Sequence, residues 1–154
     1  MFKSTKRAAE EFTLPKIAVK IIIAGVIYDP IKNELFFGEK DNGSYINNHR
    51  IRVSEKNKLD ECLFASTNSG IKSDNLTTRN LGSAALDLAY VGAGRFDGYF
   101  QNNLHIWDVA AGIIIVKEAG GTVNNLNLSQ IENLNIRASS NTIYEKMLEK
   151  LTNF

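Results

Sequence analysis

The stretch W-D-V-A-A-G-I-I-I-V-K-E-A-G-G, at residues 107–121, decides how the rest of the chain is interpreted. Its aliphatic residues leave almost no polar side, which is typical of a helix that packs on more than one face. Gly120 and Gly121 can adopt the left-handed conformation that commonly ends a helix. Asp108 falls in the first turn, where a carboxylate suits the helix dipole, so a helix-start residue is its simplest interpretation.

Strand patterns dominate the chain before this helix. Residues 17–28 are dense in Ile and Val and predict a buried strand or a pair of strands. Residues 29–33 predict a turn, and residues 34–39 predict the returning strand of a hairpin. Turns at 41–43 and 47–48, strands at 45–46, 51–53 and 62–65, and a loop over 67–80 with room for one helical turn complete this part. The pattern favours an antiparallel meander.

Helices and short strands alternate in the second half. Ser83 predicts the N-cap of a helix over residues 83–92. Short strands are predicted at 98–100, 122–124 and 136–138, with a loop at 101–105. Asn141 or Thr142 caps a final helix, with Thr142 and Glu145 spaced as a capping box. The apolar stripe of this helix predicts a docking face rather than a cofactor site; it comprises Ile143, Met147, Leu148 and Leu151.

Composition is that of one ordinary globular domain. The chain has 154 residues, of which 44% are hydrophobic and 23% charged, and its net charge of +1 gives no signal for direct nucleic-acid binding. Cys62 is the only cysteine, which fits a reducing compartment. The longest apolar stretch, residues 17–27, is interrupted by Lys20 and is too short to cross a bilayer. The basic start lacks the features of a signal peptide, so we expect a cytoplasmic protein without membrane contact.

Residue types alone point to few catalytic groups. His49 and His105 lie far apart, with no cysteine or carboxylate at the spacing of zinc ligands. Ser83 follows a glycine but is not in the G-x-S-x-G motif, so the N-cap interpretation is preferred. Asp87 and Asp97 are interpreted as paired surface or turn residues.

The pattern W-D-x-A-A-G-x-x-(I/L)-V-x-E-A-G-G resembles the C-terminal signature of the inositol monophosphatase family, specifically its bacterial SuhB-like branch. The resemblance extends to L-G-S-A-A-L-D-L-A-Y at 81–90, G-R-F-D-G-Y-F at 94–100 and G-V-I-Y-D-P at 25–30. It implies a truncated family domain over residues 17–154, preceded by a poorly matched extension at 1–16. The implied fold is α/β, an α+β layered sandwich in which helices pack on a mixed sheet.

The resemblance assigns roles to several residues. Asp108 matches the family's C-terminal aspartate, which ligates Mg²⁺ and faces the sugar hydroxyls. Gly82, Ser83 and Ala84 match the segment that lines the substrate site, where a helix N-terminus offers backbone N–H groups. Gln101 stands where the family generally has a glutamate that hydrogen-bonds an inositol hydroxyl. The implied reaction is hydrolysis of an inositol or sugar phosphate monoester, with Mg²⁺ activating water.

The family's remaining metal ligands have no counterpart in this sequence. They come mainly from an upstream glutamate and a D-P-x-D-G-T segment, whereas Asp29 and Pro30 are followed by Ile31, Lys32 and Asn33. That segment matches the family's separate Y-D-P hairpin turn, which is structural. Because Mg²⁺ needs several oxygen ligands, we expect no complete catalytic set and no phosphatase activity from this chain alone.

Three interpretations remain open. In the first, the chain is a vestigial or split phosphatase that a separately encoded N-terminal half completes. In that case an uncovered sheet edge and an uncovered apolar face favour self-association. Alternatively, it is a non-catalytic SuhB-like interaction module linked to transcription and ribosomal RNA maturation, with RNA polymerase or antitermination factors as partners. The third interpretation is a gene product without function.

Overall fold

The structure, a computed structural model, describes residues 21–67, 72–73 and 75–152. The predicted N-terminal extension at 1–16 lies outside the described residues, as does the beginning of the strand predicted over 17–28. Of that prediction, the described part contains a strand from Ala24 onward, which is buried on one face only and not on both as expected.

A four-stranded antiparallel meander forms the first sheet. Its strands are β1 (Ala24–Asp29), β2 (Glu34–Glu39), β3 (Gly43–Ile46) and β4 (His49–Arg50), paired in that order. The predicted hairpin is confirmed, with Asp29 opposite Glu34. The strand predicted at 51–53 is wrong, because Asn47 and Asn48 both have positive φ, 46° and 67°, and reverse the chain within two residues. Pairing therefore resumes at His49, opposite Ile46.

The second sheet is mixed, as predicted. The chain continues through β5 (Leu63–Ala65), β6 (Lys72–Ser73), β7 (Thr77–Arg79), β8 (Gly98–Leu104), β9 (Gly121–Val123), β10 (Leu134–Ser140) and β11 (Leu151–Thr152). Five of these form the sheet in the order β7-β5-β8-β10-β9, with β5 parallel to both β7 and β8 and the remaining pairs antiparallel. β6 and β11 pair separately.

Two segments predicted as loops contain strands. In residues 67–80, β7 pairs with β5, and β6 pairs with β11. The loop predicted at 101–105 is mostly strand, because β8 continues to Leu104 and pairs with β10. The first segment is rich in Asn, Ser and Thr, and the second contains Asn102 and Asn103. Asn has little preference for strands. The pairing of neighbouring backbones outweighs that local preference.

The central helices begin and end close to the predicted positions. Helix α1 spans Ala84–Gly92, with Ser83 as its N-cap. Helix α2 spans Ile106–Glu118, and Gly120 follows it with a φ of 87°, which confirms the predicted left-handed stop. The 107–121 stretch therefore forms a helix up to Glu118, buried from Val109 through Val116 on most sides as its composition predicts, and Gly121 already belongs to β9.

The predicted capping box of the last helix is wrong. Helix α3 spans Tyr144–Lys150 and begins after Ile143, which makes no side-chain capping bond. Thr142 instead donates its hydroxyl to the Lys56 carbonyl oxygen at 2.8 Å, which ties the segment to a distant loop. The predicted docking stripe is confirmed, because Ile143, Met147 and Leu151 are buried against the second sheet.

The elements form a layered sandwich. Helices α1 and α2 lie between the inner face of the first sheet and one face of the second sheet, and α3 covers the other face of the second sheet. Successive side chains of β8 point to opposite faces of the second sheet. Tyr99 therefore packs in the core shared with α1 and α2, and Phe100 packs in the core shared with α3. The α/β layered fold predicted from the sequence is confirmed.

Close contacts place α2 at the centre of this sandwich. A Cβ atom on Gly112 would lie 2.5 Å from the Leu88 Cβ atom, so α1 and α2 approach too closely for any larger residue. A Cβ atom on Gly25 would lie 2.6 Å from the Ala111 Cα atom, so β1 also lies directly on α2. The start of α2 is thereby held at a defined position relative to α1.

The outer face of the first sheet is apolar. Val26, Tyr28 and Leu35 are 55%, 53% and 45% exposed. With Phe37 and Tyr45 they form the outer sheet face, much of which lines a shallow groove. This face contrasts with the inner face, where Ile27 and Phe36 are buried.

No helix in the described part of the chain has both the length and the apolar character needed to span a membrane.

Candidate functional site

One open cleft lies where the starts of α1 and α2 meet the end of β8. It has a volume of about 440 Å³, which is enough for a sugar phosphate. Its lining residues are Gly82, Ser83, Ala84, Ala85, Gln101, Leu104, Trp107 and Asp108. All five predicted site residues are thus brought to one place from three separate segments of the chain.

The start of α1 forms one wall of the cleft. Gly82 has a φ of 79°, and its N–H donates to the Asn80 Oδ1 atom at 2.7 Å. Ser83 Oγ accepts from the Leu86 N–H at 3.4 Å, as expected for an N-cap. The first helical hydrogen bond is donated by the Asp87 N–H, so the N–H groups of Ala84 and Ala85 precede it. This wall offers backbone donors to an anionic or hydroxylated ligand.

The start of α2 places the carboxylate of Asp108 in the cleft. Asp108 is 44% exposed, and its Oδ2 atom lies 3.4 Å from the His105 Nδ1 atom. His105 stacks on Trp107, with ring centroids 4.6 Å apart and planes inclined by 10°. Trp107 is 65% exposed, so its indole forms an apolar surface at the mouth of the cleft.

The third wall is the end of β8. Tyr99 donates its hydroxyl to the Gln101 Oε1 atom at 2.9 Å. Burial raises the pKa of Tyr99 well above its usual range, helped by the negative charges of Asp87 and Asp108. The Arg137 guanidinium donates to the Gln101 carbonyl oxygen at 3.1 Å and to the Asn102 Oδ1 atom at 2.7 Å. Both the main chain and the side chain of Gln101 are therefore held.

The structure corrects the interpretation of Asp87 as a paired surface residue or a turn residue, because Asp87 lies inside helix α1. It is fully buried, and neither carboxylate oxygen has a hydrogen-bond partner among the residues that the structure describes. Burial raises the pKa of Asp87 from 3.8 to about 7. Asp87 lies one turn beyond Ser83, within the helix that forms the first wall of the cleft.

Asp97 and Asp29 have structural contacts instead. Asp97 is paired, as predicted, but is buried rather than on the surface; its Oδ2 atom accepts from the Lys56 ammonium at 3.0 Å and from the Leu63 N–H at 2.7 Å. Asp29 Oδ1 accepts from the N–H groups of Ile31 and Lys32, at 3.0 and 3.2 Å, which is the Asx turn of a hairpin. The structural interpretation of the Y-D-P segment is therefore confirmed.

The described residues do not by themselves fit a magnesium ion. Mg²⁺ requires near-octahedral oxygen coordination, and Asp108 is the carboxylate that this cleft presents. Within residues 21–67, 72–73 and 75–152, no group of three His, Cys, Asp or Glu side chains is placed to hold a metal. The site, as described, is a surface for ligand contact with one acidic group.

Sequence reasoning missed Trp107, which lines the cleft, and two residues that contact its lining, His105 and Tyr99. His105 and Trp107 were not assigned to the site, although both lie within three residues of Asp108. Their stacking requires the turn that precedes α2, which the sequence pattern does not show. Tyr99 was missed as well; its position two residues before Gln101, on the same face of a strand, was the available signal.

Comparison with known proteins identifies the family of this chain. The sequence model of the inositol monophosphatase family matches residues 17–153, and the chain belongs to that family. The Nus factor SuhB of Pasteurella multocida is 39% identical over 90% of this chain and 61% of its own length. A fructose-1,6-bisphosphatase/inositol-1-monophosphatase of Thermotoga maritima is 44% identical over 67% of this chain and 44% of its own length.

Solved structures agree in fold. The extragenic suppressor protein SuhB of Bartonella henselae superposes with a TM-score of 0.72 and 38% identity, covering 83% of this chain and 58% of that one. A Pyrococcus horikoshii protein with similarities to inositol-1 monophosphatase gives a TM-score of 0.75 at 32% identity, covering 85% and 58%. The chain therefore spans between 44% and 61% of the length of these four relatives.

Proposed function

We propose that this chain forms the substrate-facing wall of a phosphate monoester hydrolase site, and that it binds such esters without hydrolysing them on its own. The observation that supports this proposal is the convergence of Asp108, Gln101 and the start of α1 on one cleft. The family to which the chain belongs, and relatives named as inositol-1-monophosphatases, support the choice of inositol and sugar phosphates as ligands.

Each wall has a distinct task in this proposal. The N–H groups of Ala84 and Ala85 bind ligand oxygens, since a helix N-terminus favours negative charge. Trp107 packs against the apolar face of a sugar ring. Asp108 supplies one ligand to Mg²⁺, and the remaining carboxylates come from polypeptide outside the described residues. Without them the cleft lacks the charge needed to hold the ion at a phosphate.

The test uses the purified full chain, inositol 1-phosphate and Mg²⁺. We expect measurable ligand binding that Asp108→Ala weakens, and no phosphate release above the level of Asp108→Ala. Magnesium-dependent hydrolysis by the chain alone, abolished in Asp108→Ala, would contradict the incomplete-site proposal. Absence of ligand binding would contradict the substrate-facing role.

A second experiment asks what completes the site. The chain is co-expressed with the part of a SuhB relative that it does not cover. We expect a stable complex with magnesium-dependent phosphatase activity, and loss of that activity when the chain has the Asp108→Ala substitution. A stable complex that stays inactive would contradict completion in trans.

A non-catalytic role is the alternative, and the outer sheet face favours it. This face exposes apolar side chains that do not reach the cleft, so a partner or a second copy could bind there without using Asp108. Relatives named Nus factor SuhB support a link to transcription, with RNA polymerase or antitermination factors as partners. Capture of those factors by the chain, lost with Val26→Lys and Leu35→Lys but kept with Asp108→Ala, would favour this alternative.

A further inference from the structure

Helix α1 contains a buried acidic side chain one turn after its start, which lines the cleft. The Asp87 N–H donates to the Ser83 carbonyl oxygen at 2.9 Å, so Asp87 closes the first turn of the helix. Its side chain is fully buried, and neither carboxylate oxygen has a hydrogen-bond partner among the described residues. A charge on Asp87 therefore lies inside the protein, where little water screens it from the start of α1.

Within the described residues, the elements that pack on α1 bring no cation to this carboxyl group. The main ones are α2, β1, β8 and β10. On β8, Tyr99 is a neighbour, since the negative charge of Asp87 helps to raise the pKa of Tyr99. On β10, the Arg137 guanidinium donates to oxygen atoms of β8. On β1, the Asp29 carboxylate accepts from its own hairpin turn, and on α2 Asp108 is 44% exposed. An ionised Asp87 would thus stay without a neutralising partner from these elements.

The protonation state of Asp87 changes the charge behind the start of α1. Burial raises the pKa of Asp87 from 3.8 to about 7, so the carboxyl group loses its proton near neutral pH. Along the helix axis Ser83 and Asp87 are about 6 Å apart, and a hydrogen bond to a bound anion adds about 3 Å. At a distance of about 9 Å and an effective dielectric constant of about 20, two negative charges repel enough to weaken binding roughly ten- to twentyfold.

We propose that the protonation state of Asp87 controls anion binding at the start of α1: the neutral carboxyl group permits tight binding, and the ionised group weakens it. This inference rests on the proposed function, because the N–H groups of Ala84 and Ala85 belong to the same cleft. Asp87 is not among the residues that line the cleft, so it acts on the ligand through its charge and not by contact. Because such coupling is reciprocal, a bound anion must favour the protonated form of Asp87 to the same extent.

The experiment measures the binding of inositol 1-phosphate with Mg²⁺ to the full chain and to Asp87→Asn, by calorimetry from pH 5.5 to pH 8.5. The ligand phosphate itself titrates near pH 6, and this affects both proteins equally. We expect equal affinities at pH 5.5. At pH 8.5 Asp87→Asn, which stays neutral, should bind about five- to tenfold more tightly than the unaltered chain.

A second measurement needs no substitution. Carbon-13 NMR of the Asp87 carboxyl group follows its titration in the unaltered chain, with and without saturating inositol 1-phosphate. By linkage, the titration midpoint should rise by about one pH unit when the ligand is bound. A midpoint that the ligand does not move would overturn this inference.

Two controls separate Asp87 from other charges. Asp41→Asn removes the same charge from an exposed turn, where the side chain is 85% exposed, and should match the unaltered chain at every pH. His105 lies 3.4 Å from Asp108, and histidine side chains change charge in this pH range. The difference between Asp87 and its Asn variant should therefore persist in a His105→Gln background. Its loss there would assign the pH dependence to His105 and contradict the role of Asp87.

The outcomes distinguish this inference from the proposed function. If the ligand binds and Asp87→Asn matches the unaltered chain at every pH, this inference is overturned while the proposed function stands. If neither protein binds the ligand at any pH, the proposed function is overturned and this inference with it. Circular dichroism establishes that each variant is folded.

Discussion

The first turns of α1 and α2 each contain one aspartate, and the two carboxylates meet opposite environments. Asp87 is fully buried, and neither of its oxygens has a hydrogen-bond partner among the described residues. Asp108 is 44% exposed and faces His105 at the cleft. Because an unpaired charge costs most where water is excluded, Asp87 affects stability and Asp108 is free to contact a ligand. Two aspartates at similar positions in their helices thus have different roles, because one is covered by the surrounding layers and the other is open to solvent.

Removing the charge at Asp87 should give the largest effect. Its pKa is raised from 3.8 to about 7, so between these values the unfolded chain releases a proton that the folded chain keeps. The free energy of unfolding therefore falls as pH rises through this window and levels off above it. Asp87→Asn should lack this fall and exceed the unaltered protein by about 2–4 kcal/mol at pH 8.

Urea denaturation at half-unit steps from pH 4 to pH 8 measures this effect. The quantity to compare is the difference between Asp87→Asn and the unaltered chain, since other groups contribute equally to both. Parallel profiles would show that Asp87 finds a partner in solution, and the contrast with Asp108 would then be lost.

Crowding the contact between the two helices should give the next effect. Gly112→Ala places a Cβ atom 2.5 Å from the Leu88 Cβ atom, so α1 and α2 must separate. We expect a loss of about 1–3 kcal/mol in unfolding free energy, even though alanine favours helix more than glycine does. Thermal denaturation measures it. In the Leu88→Gly background, which lacks that Cβ atom, the same substitution should cost less; an equal cost in both backgrounds would refute the steric explanation.

Removing the N-cap of α1 should have a smaller effect. Ser83 Oγ accepts from the Leu86 N–H at 3.4 Å, which is a long hydrogen bond. Ser83→Ala should therefore destabilise the chain by about 0.5–1 kcal/mol, in the lower part of the range for N-caps. Ser83→Asp, which keeps a capping oxygen, should recover most of the loss in chemical denaturation. Failure of Ser83→Asp to do so would assign the loss to packing.

Replacing Asp108 should have the smallest effect on stability. Its carboxylate is exposed, and such ion pairs contribute little, so Asp108→Asn should change unfolding free energy by no more than about 0.5 kcal/mol. Binding of inositol 1-phosphate with Mg²⁺ should nevertheless weaken. A stability loss as large as that of Gly112→Ala would place Asp108 in the structural core and remove the contrast with Asp87.

Part of the fold could be predicted from local patterns, whereas the residues of the cleft were assigned only through the family resemblance. The helix at 107–121, the Ser83 cap and the hairpin at Asp29 each depend on residues close together in sequence, and each is confirmed. The capping box at Thr142 was a local prediction that failed, because Thr142 bonds to Lys56 instead. Strands β6 and β7 were missed for the same physical reason: their partners are distant in sequence.

The sequence alone indicated that a buried helix has a carboxylate in its first turn and that the chain resembles inositol monophosphatases. Both conclusions rest on residues close together in the chain: the apolar composition of one helix and short motifs of uncommon residues. Only the tertiary structure decided that Asp87 is buried without a partner among the described residues, that Tyr99 hydrogen-bonds Gln101 and that Trp107 is exposed at the cleft. Burial and hydrogen-bond direction depend on which layers cover a residue. Those layers come from segments that the linear order keeps apart.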